Sequence, residues 1–356
     1  MTSPKLAVIL GAGASADVCP TPACVNNQDY RPPLVANLLT SKPFNALLNQ
    51  HAEAAHILNA IRVEITTEGR GFEEALKARW NSADQHIRFN MRFVPLALRK
   101  FFFDVSQSYT FQPVNYQALV DKTVGLGIDT AFITVNYDTI LERVLAGYRL
   151  AELDALAPLS PYRRGAPHFT FDSMDSYVSY PRWLLIKLHG SVDWGYRWST
   201  EGDPRGLLFE SDPPKGDADS IEVLPNPSEL RDGRQAYYPA LALPLPDKYG
   251  FVCPRAHQLA LATFLAECHL FLFVGFSGKD HDLLDLLADT ATSVLRFVIV
   301  SQGDVEEVKN RICSRVRAFA AVSAYSPTTL AFNDGFSHFV VRGLDNLVGE
   351  SLALDR

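Results

Sequence analysis

Short, nearly unbroken apolar runs recur along the chain at residues 5–10, 130–134, 183–188, 269–274 and 296–300. Runs of this length, rich in β-branched and aromatic residues, predict strands buried on both faces of a parallel sheet. Apolar residues at helical spacing follow at least three of them, predicting helices over residues 139–148, 281–290 and 305–319. Strand and helix alternating in this way predict a doubly wound, mostly parallel, Rossmann-like α/β fold.

The pattern changes in two places. From about residue 34 to 124 the spacing is mostly helical, as in Ala55, Leu58, Ile61 and Ile65 or Ile87, Met91, Val94, Leu98 and Phe101. The expected organisation is an α/β domain built from residues 1–33 and 125–356, interrupted by a helical insert or subdomain at 34–124. Residues 199–246 are rich in Gly, Pro and Asp and predict an excursion of loops and short strands. The prolines between Cys19 and Pro33 exclude a regular helix or central strand and predict a loop or lid.

Composition narrows the function. The 356 residues are 47% apolar, enough for a large core. A net charge of -7 removes the general electrostatic drive toward nucleic acid, and Arg163-Arg164 is too short to restore it. The apolar run at 6–10 ends in glycines, unlike a signal peptide, and no stretch approaches the roughly 20 apolar residues of a membrane span. A cytoplasmic protein without direct nucleic acid or membrane binding is expected. Five cysteines, at 19, 24, 253, 268 and 313, include no Cys-x-x-Cys pair, which argues for reduced thiols rather than disulfides or a zinc ribbon.

Four clusters sit where predicted strands end. Gly11-Ala12-Gly13-Ala14-Ser15-Ala16 matches a permissive dinucleotide fingerprint, whose small residues admit a pyrophosphate to backbone N–H groups. A dehydrogenase would add an acidic residue at the end of a second strand to hold the ribose; only Asp29, in a loop-like context, stands near the required place. Next come Thr134-Val135-Asn136-Tyr137-Asp138 and Lys187-Leu188-His189-Gly190-Ser191, in which the imidazole can serve as a base at neutral pH. The last is Gly275-Phe276-Ser277-Gly278-Lys279-Asp280. Each also has a purely structural reading: a glycine turn without a ligand, Asn136 and Asp138 as helix caps, a strand-end histidine, and Asp280 or Asp282 capping the next helix.

Taken together and in this order, the clusters resemble the sirtuin family. There a Gly-Ala-Gly-x-Ser loop holds NAD, a Thr-Gln-Asn-x-Asp segment lines the nicotinamide pocket, His-Gly supplies the base, and a later Gly-x-Ser contacts NAD. The resemblance implies catalytic roles for Asn136, His189 and Asp138, and NAD binding by Gly11, Ala12, Gly13, Ser15, Thr134, Gly190, Gly275 and Ser277. Val135 stands where deacylases of the family carry Gln. The two Cys-x-x-Cys pairs of their zinc module are missing, so no zinc is expected; Cys253, His257, Cys268 and His269 form the one alternative metal set. The chain thus resembles the zinc-free sirtuin-like domains of prokaryotic antiphage defence proteins, which hydrolyse NAD.

The implied reaction cleaves the nicotinamide N-glycosidic bond while positive charge builds on the ribose. Asn136 would orient ribose hydroxyls or water, His189 would take a proton, and Asp138 would either hold the Asn136 loop or stabilise the cationic ribose. Ser15 and the Gly11–Gly13 amides would bind phosphate, and Ser277 a ribose or phosphate oxygen. Asp104 and Arg31 are polar candidates without a defined role. An enzyme that destroys NAD needs control, so a homo-oligomer or a separately encoded regulatory defence protein is expected. The alternatives are an NAD-dependent protein deacylase or ADP-ribosyltransferase, a non-catalytic sensor of an NAD-derived nucleotide, and, last, a dehydrogenase.

Overall fold

The computed structural model describes residues 4–18, 31–108, 113–125, 127–155, 171–179, 182–214, 216–243, 250–325 and 330–345. Asp29, Cys19, Cys24, Arg163-Arg164 and most of the proline-rich passage lie outside the described residues. The chain begins with β1 (Lys5–Leu10) and the short helix α1 (Ala12–Ala16). It continues through α2 (Val35–Leu38), α3 (Lys42–Leu48), α4 (Ala52–Glu68), α5 (Phe72–Trp80), α6 (Gln85–Met91), α7 (Val94–Ser108) and α8 (Val114–Gly125). Then come β2 (Asp129–Thr134), α9 (Ile140–Ala155), β3 (Trp183–Lys187), β4 (Gly190–Glu201), α10 (Pro204–Glu210), β5 (Ile221–Val223), β6 (Arg231–Asp232) and β7 (Gln235–Leu241). The final stretch holds α11 (Arg255–Ala266), β8 (Leu270–Val274), α12 (His281–Thr290), β9 (Arg296–Val300), α13 (Val305–Arg315), α14 (Arg317–Tyr325), β10 (Leu330–Phe332) and α15 (Gly335–Arg342).

Six strands pair in parallel in the order β10-β9-β8-β1-β2-β3, giving the α/β sheet the apolar runs predict. Both faces are buried, which is why the runs are apolar at every position rather than at alternate ones. Leu6, Val8 and Leu10 face a core shared with α8, α9 and α15, while Ala7 and Ile9 face one shared with α11 to α14. The expected helix at 305–319 is split, because Val316 is extended (φ -111°, ψ 102°) between α13 and α14. β10 is too short to stand out from its surroundings in the sequence.

A second sheet, antiparallel and ordered β5-β4-β7-β6, occupies the stretch expected to be loops and short strands. Its long strand β4 alternates inward Val192, Trp194, Tyr196 and Trp198, all buried, the period-two signature of a strand. Helices α2 to α7 share their core with this sheet, through Trp198, Tyr238 and Leu241, and with Leu207 of α10. Arg99 of α7 reinforces the contact. Its guanidinium is 2% exposed, donates to the Val192 and Pro227 carbonyls and lies over the Phe103 ring. By contrast α8, within the same helical stretch of sequence, buries Tyr116, Leu119 and Val120 in the core of the large sheet.

Candidate active site

Leu10, Thr134, Lys187 and Val274 end four adjacent strands at one level: Leu10 pairs with both Thr134 and Val274, and Thr134 with Lys187. The four sequence clusters therefore emerge side by side along the carboxyl edge of β8-β1-β2-β3. β2 and β3 lie on one side of β1, while β8, β9 and β10 lie on the other. The strand order reverses at the β1–β8 boundary, and such boundaries open the crevice in which α/β proteins hold ligands.

The glycine loop is locked to the β8 exit. Gly11 donates its N–H to Val274 O at 3.0 Å and Gly13 to Gly275 O at 3.1 Å. Gly275 sits at φ +58°, and a Cβ there would fall 2.2 Å from the Ala14 nitrogen, so the close approach that requires glycine is between two protein backbones. Ala12 is the exposed residue of the loop. Gly190, at φ +80°, is required by β7: a Cβ would come within 1.9 Å of Ala240 O.

Asn136 and His189 each lie two positions past the Thr134–Lys187 pair. Asn136 is 9% exposed and tied down on three sides. Its backbone N–H donates to Thr134 Oγ1 at 3.0 Å, and its amide Nδ2 donates to Gly11 O at 2.9 Å and to Ser15 Oγ at 3.0 Å. With both amide hydrogens spent, the amide orientation is fixed and Oδ1 remains as an acceptor. Ser15 Oγ, itself buried, also contacts the Tyr116 hydroxyl at 2.9 Å. Burial and the Asp138 carboxylate push that phenol well above its ordinary pKa, so it is held neutral. Ser15 is thus engaged with Asn136 and Tyr116, whereas Ser277 is exposed and uses its backbone carbonyl to accept from Arg311.

Asp138 is 8% exposed, and its Oδ1 accepts from the Ile140 N–H at 3.1 Å, so it does cap the start of α9. Beneath it Lys187, fully buried, donates to the Asp138 carbonyl and to Glu142 Oε1 at 2.6 Å. Burial pushes the Glu142 carboxyl up to about 7 against the opposing pull of Lys187. The bond from Lys187 to the Asp138 carbonyl ties the β3 exit to the turn carrying Asn136, and the bond to Glu142 ties it to α9. Tyr137, between Asn136 and Asp138, donates to Ala242 O at 2.8 Å and packs on Phe102, linking the site to the helical layer.

His189 is held through its carbonyl, which accepts from the Ala242 N–H at 2.8 Å. Its side chain is 27% exposed, and Nε2 lies 2.9 Å from Asp280 Oδ2 at the N-terminus of α12. Burial acts to raise the Asp280 carboxyl, but the His189 imidazole and the Leu283 N–H hold it below its ordinary value. Tyr116, Glu142 and the pairing of Asp280 with His189 escape the sequence reading. Asp280 reads there as a helix cap, which it also is, and nothing in the spacing of Tyr116 sets it apart from a core residue. Of the other candidates, Asp104 pairs with Lys100 on α7, and Arg31 donates to Ala16 O at 3.1 Å.

The alternative metal set does not assemble. His257 Nε2 bonds Met174 O, His269 Nδ1 bonds Ser293 O, and among the described residues no three His, Cys, Asp or Glu side chains are grouped to hold a metal. Burial pushes the Cys268 thiol up to about 12 and Cys253 higher still, so both are inert thiols.

A doubly wound α/β protein with a buried, prearranged amide and a histidine–carboxylate pair at the ends of its central strands is therefore defined. A SIR2-like domain model matches residues 130–312, more than half of the chain, and the chain belongs to that family. The family uses NAD as substrate. Among solved structures the chain is similar to Sir2Tm bound to a propionylated peptide, at 16% identity and TM-score 0.40, covering 97% of this chain and 93% of that one. It is similar also to Sir2 with the inhibitor EX-527, 2′-O-acetyl-ADP-ribose and deacetylated p53 peptide, at 13% identity and TM-score 0.43, covering 97% and 94%. A third is the complex of Sir2, p53 peptide and NAD+, at 16% identity and TM-score 0.41, covering 97% and 93%. No curated protein matches. Among the described residues no helix is long and apolar enough to cross a membrane.

Proposed function

We propose that the chain is an NAD+ hydrolase that cleaves the nicotinamide N-glycosidic bond, giving nicotinamide and ADP-ribose. The observation that carries the reading is the pair of side chains two positions beyond Thr134–Lys187. Asn136 has both amide hydrogens committed and its acceptor oxygen set, and beside it His189 is partly exposed and paired with a carboxylate. Nicotinamide departs as a neutral molecule, so no acid is needed on the leaving side. What the reaction needs is an acceptor to align a ribose hydroxyl or water and a base to take one proton. Asn136 and His189 supply these, and Asp138 holds the Asn136 turn. Gly11, Ala12, Gly13, Thr134, Gly190, Gly275 and Ser277 line the NAD path. Ser15 acts through Asn136 rather than on phosphate.

The NAD-binding unit comprises residues 1–33 and 125–356 joined by α8, and the remaining helices of 34–124 form the insert beside it. As an NAD-depleting effector of antiphage defence, the protein would be restrained by self-assembly or by a separately encoded partner. The test is incubation of the purified chain with NAD, alone and with co-expressed neighbours, following nicotinamide and ADP-ribose. Release of both by wild type, absent in Asn136→Ala and His189→Ala, supports the hydrolase. Nicotinamide release with the acyl group of an acyl-lysine peptide moved onto ADP-ribose and the lysine freed supports the deacylase alternative, and release with ADP-ribose left on a protein side chain supports the ADP-ribosyltransferase. Binding without cleavage under every condition overturns the enzyme and leaves a nucleotide sensor.

A further inference from the structure

We propose that Asp280 is a positioning residue that holds the His189 imidazole in the tautomer carrying its proton on Nε2, leaving Nδ1 as the base. The proposal rests on the hydrolase reading for its kinetic part but not for its structural part.

Asp280 uses its two oxygens differently. Oδ1 accepts the Leu283 N–H at 3.0 Å and caps α12. Oδ2 is buried, accepts no hydrogen bond from any described group in this structure, and lies in ion-pair contact, 2.9 Å from His189 Nε2. A carboxylate accepts only, so the ring nitrogen facing it carries the proton, and the other nitrogen is left as a lone-pair acceptor. No described residue bonds His189 Nδ1. The other ionisable groups acting on Asp280 are His281 of its own helix and, from the β2–α9 turn, Tyr137.

The consequence for the reaction is specific. As the ribosyl bond to nicotinamide breaks, its electron pair leaves with nicotinamide. Water forms the new bond to the ribose, and the proton that water gives up moves to Nδ1, later to be released to solvent. The imidazolium formed at that moment faces the Asp280 carboxylate, which stabilises it. A helix cap alone would do neither.

The cap itself supplies a sharp test. In Asp280→Asn, keeping the bond from Leu283 N–H requires the side-chain carbonyl at the Oδ1 place, which puts the NH2 group where Oδ2 stood. That group donates toward Nε2 and drives the imidazole proton to Nδ1, removing the base while α12 stays capped. Asp280→Ser also caps the helix but leaves the ring without a partner, so both tautomers are populated.

The experiment records the 15N imidazole signals of His189 at neutral pH, assigned by their loss in His189→Ala, for wild type, Asp280→Asn and Asp280→Ser. It is paired with kcat, KM and melting temperature. The expected result is a protonated Nε2 in wild type and a protonated Nδ1 in Asp280→Asn, with kcat reduced about 100-fold, KM within about twofold and the melting temperature kept. Asp280→Ser should lose about tenfold in kcat. An unchanged tautomer and kcat in Asp280→Asn overturn the proposal and leave Asp280 a helix cap. If wild type cleaves no NAD, the hydrolase reading fails, and the imidazole signals alone still decide the role of Asp280.

Discussion

Gly13 and Gly275 meet backbone to backbone across the β1–β8 boundary, the Gly13 N–H donating to the Gly275 carbonyl at 3.1 Å. Gly275 is in the left-handed region and has no room for a methyl group. Gly275→Ala should therefore cost more than the left-handed penalty of about 1–2 kcal/mol, because the Ala14 backbone must also move. Gly69→Ala is the control: Gly69 has a similar φ of +67° but nothing within 4 Å, so it should show that penalty alone. Urea melts of the two variants compare the costs, and equal values would mean that the β1–β8 contact yields without strain.

Asn136→Asp changes one amide nitrogen to oxygen yet turns a donor into an acceptor against Gly11 O and Ser15 Oγ. We expect nicotinamide release to fall at least about 100-fold, as far as in Asn136→Ala. Ser15→Ala should cost about tenfold in kcat, because one tether of the amide is lost while the other remains. Tyr116→Phe should follow Ser15→Ala in direction with a smaller loss. A Ser15→Ala variant that weakens NAD binding without changing kcat would instead return that hydroxyl to the phosphate.

The buried Glu142 carboxyl makes stability fall as pH rises. Its folded pKa is pushed up to about 7 from the ordinary 4.5, so the native state keeps a proton that the unfolded chain gives up. That contribution is complete below about pH 4.5 and lost as the pH rises through about 7. Urea unfolding of wild type should show this loss between pH 5 and 8, and Glu142→Gln, which cannot titrate, should lack it. Parallel pH curves for the two proteins would assign the proton elsewhere.

Arg99→Met should destabilise the chain by about 3 kcal/mol, because it leaves the Val192 and Pro227 carbonyls without their buried donor. Since Arg99 joins α7 to the antiparallel sheet, proteolysis should then cut first within the 34–108 helices. Cleavage starting in the large sheet would place the weak point elsewhere.

How much of this was legible in the sequence follows from what each element is made of. The strands from β1 to β9 in the large sheet are buried on both faces, so their apolar runs announce them within a residue or so, as at 5–10 and 296–300. β4 was hidden because its alternation is carried by Trp194, Tyr196 and Trp198, with Gly195 among them, inside a stretch dominated by Gly, Pro and Asp. The site residues are legible as clusters because strand ends concentrate them. Their partners are not: Asp280 lies far from His189 in sequence, and only the reversal of strand order brings α12 against the β3 exit. Likewise, Gly11 and Gly13 read as room for a ligand, whereas the room is taken up in good part by the backbone of Gly275.

The central position of β1 has a consequence for synthesis. Leu10 is translated long before one of its two neighbours in the sheet, Val274. A nascent chain that has already displayed Gly11, Asn136 and His189 still lacks the strand that closes β1 and the carboxylate that faces the imidazole. Such distant pairings are entropically expensive and form late in folding. The candidate site is in this way incomplete until β8 and Asp280 have been made, and the segment that carries them completes it.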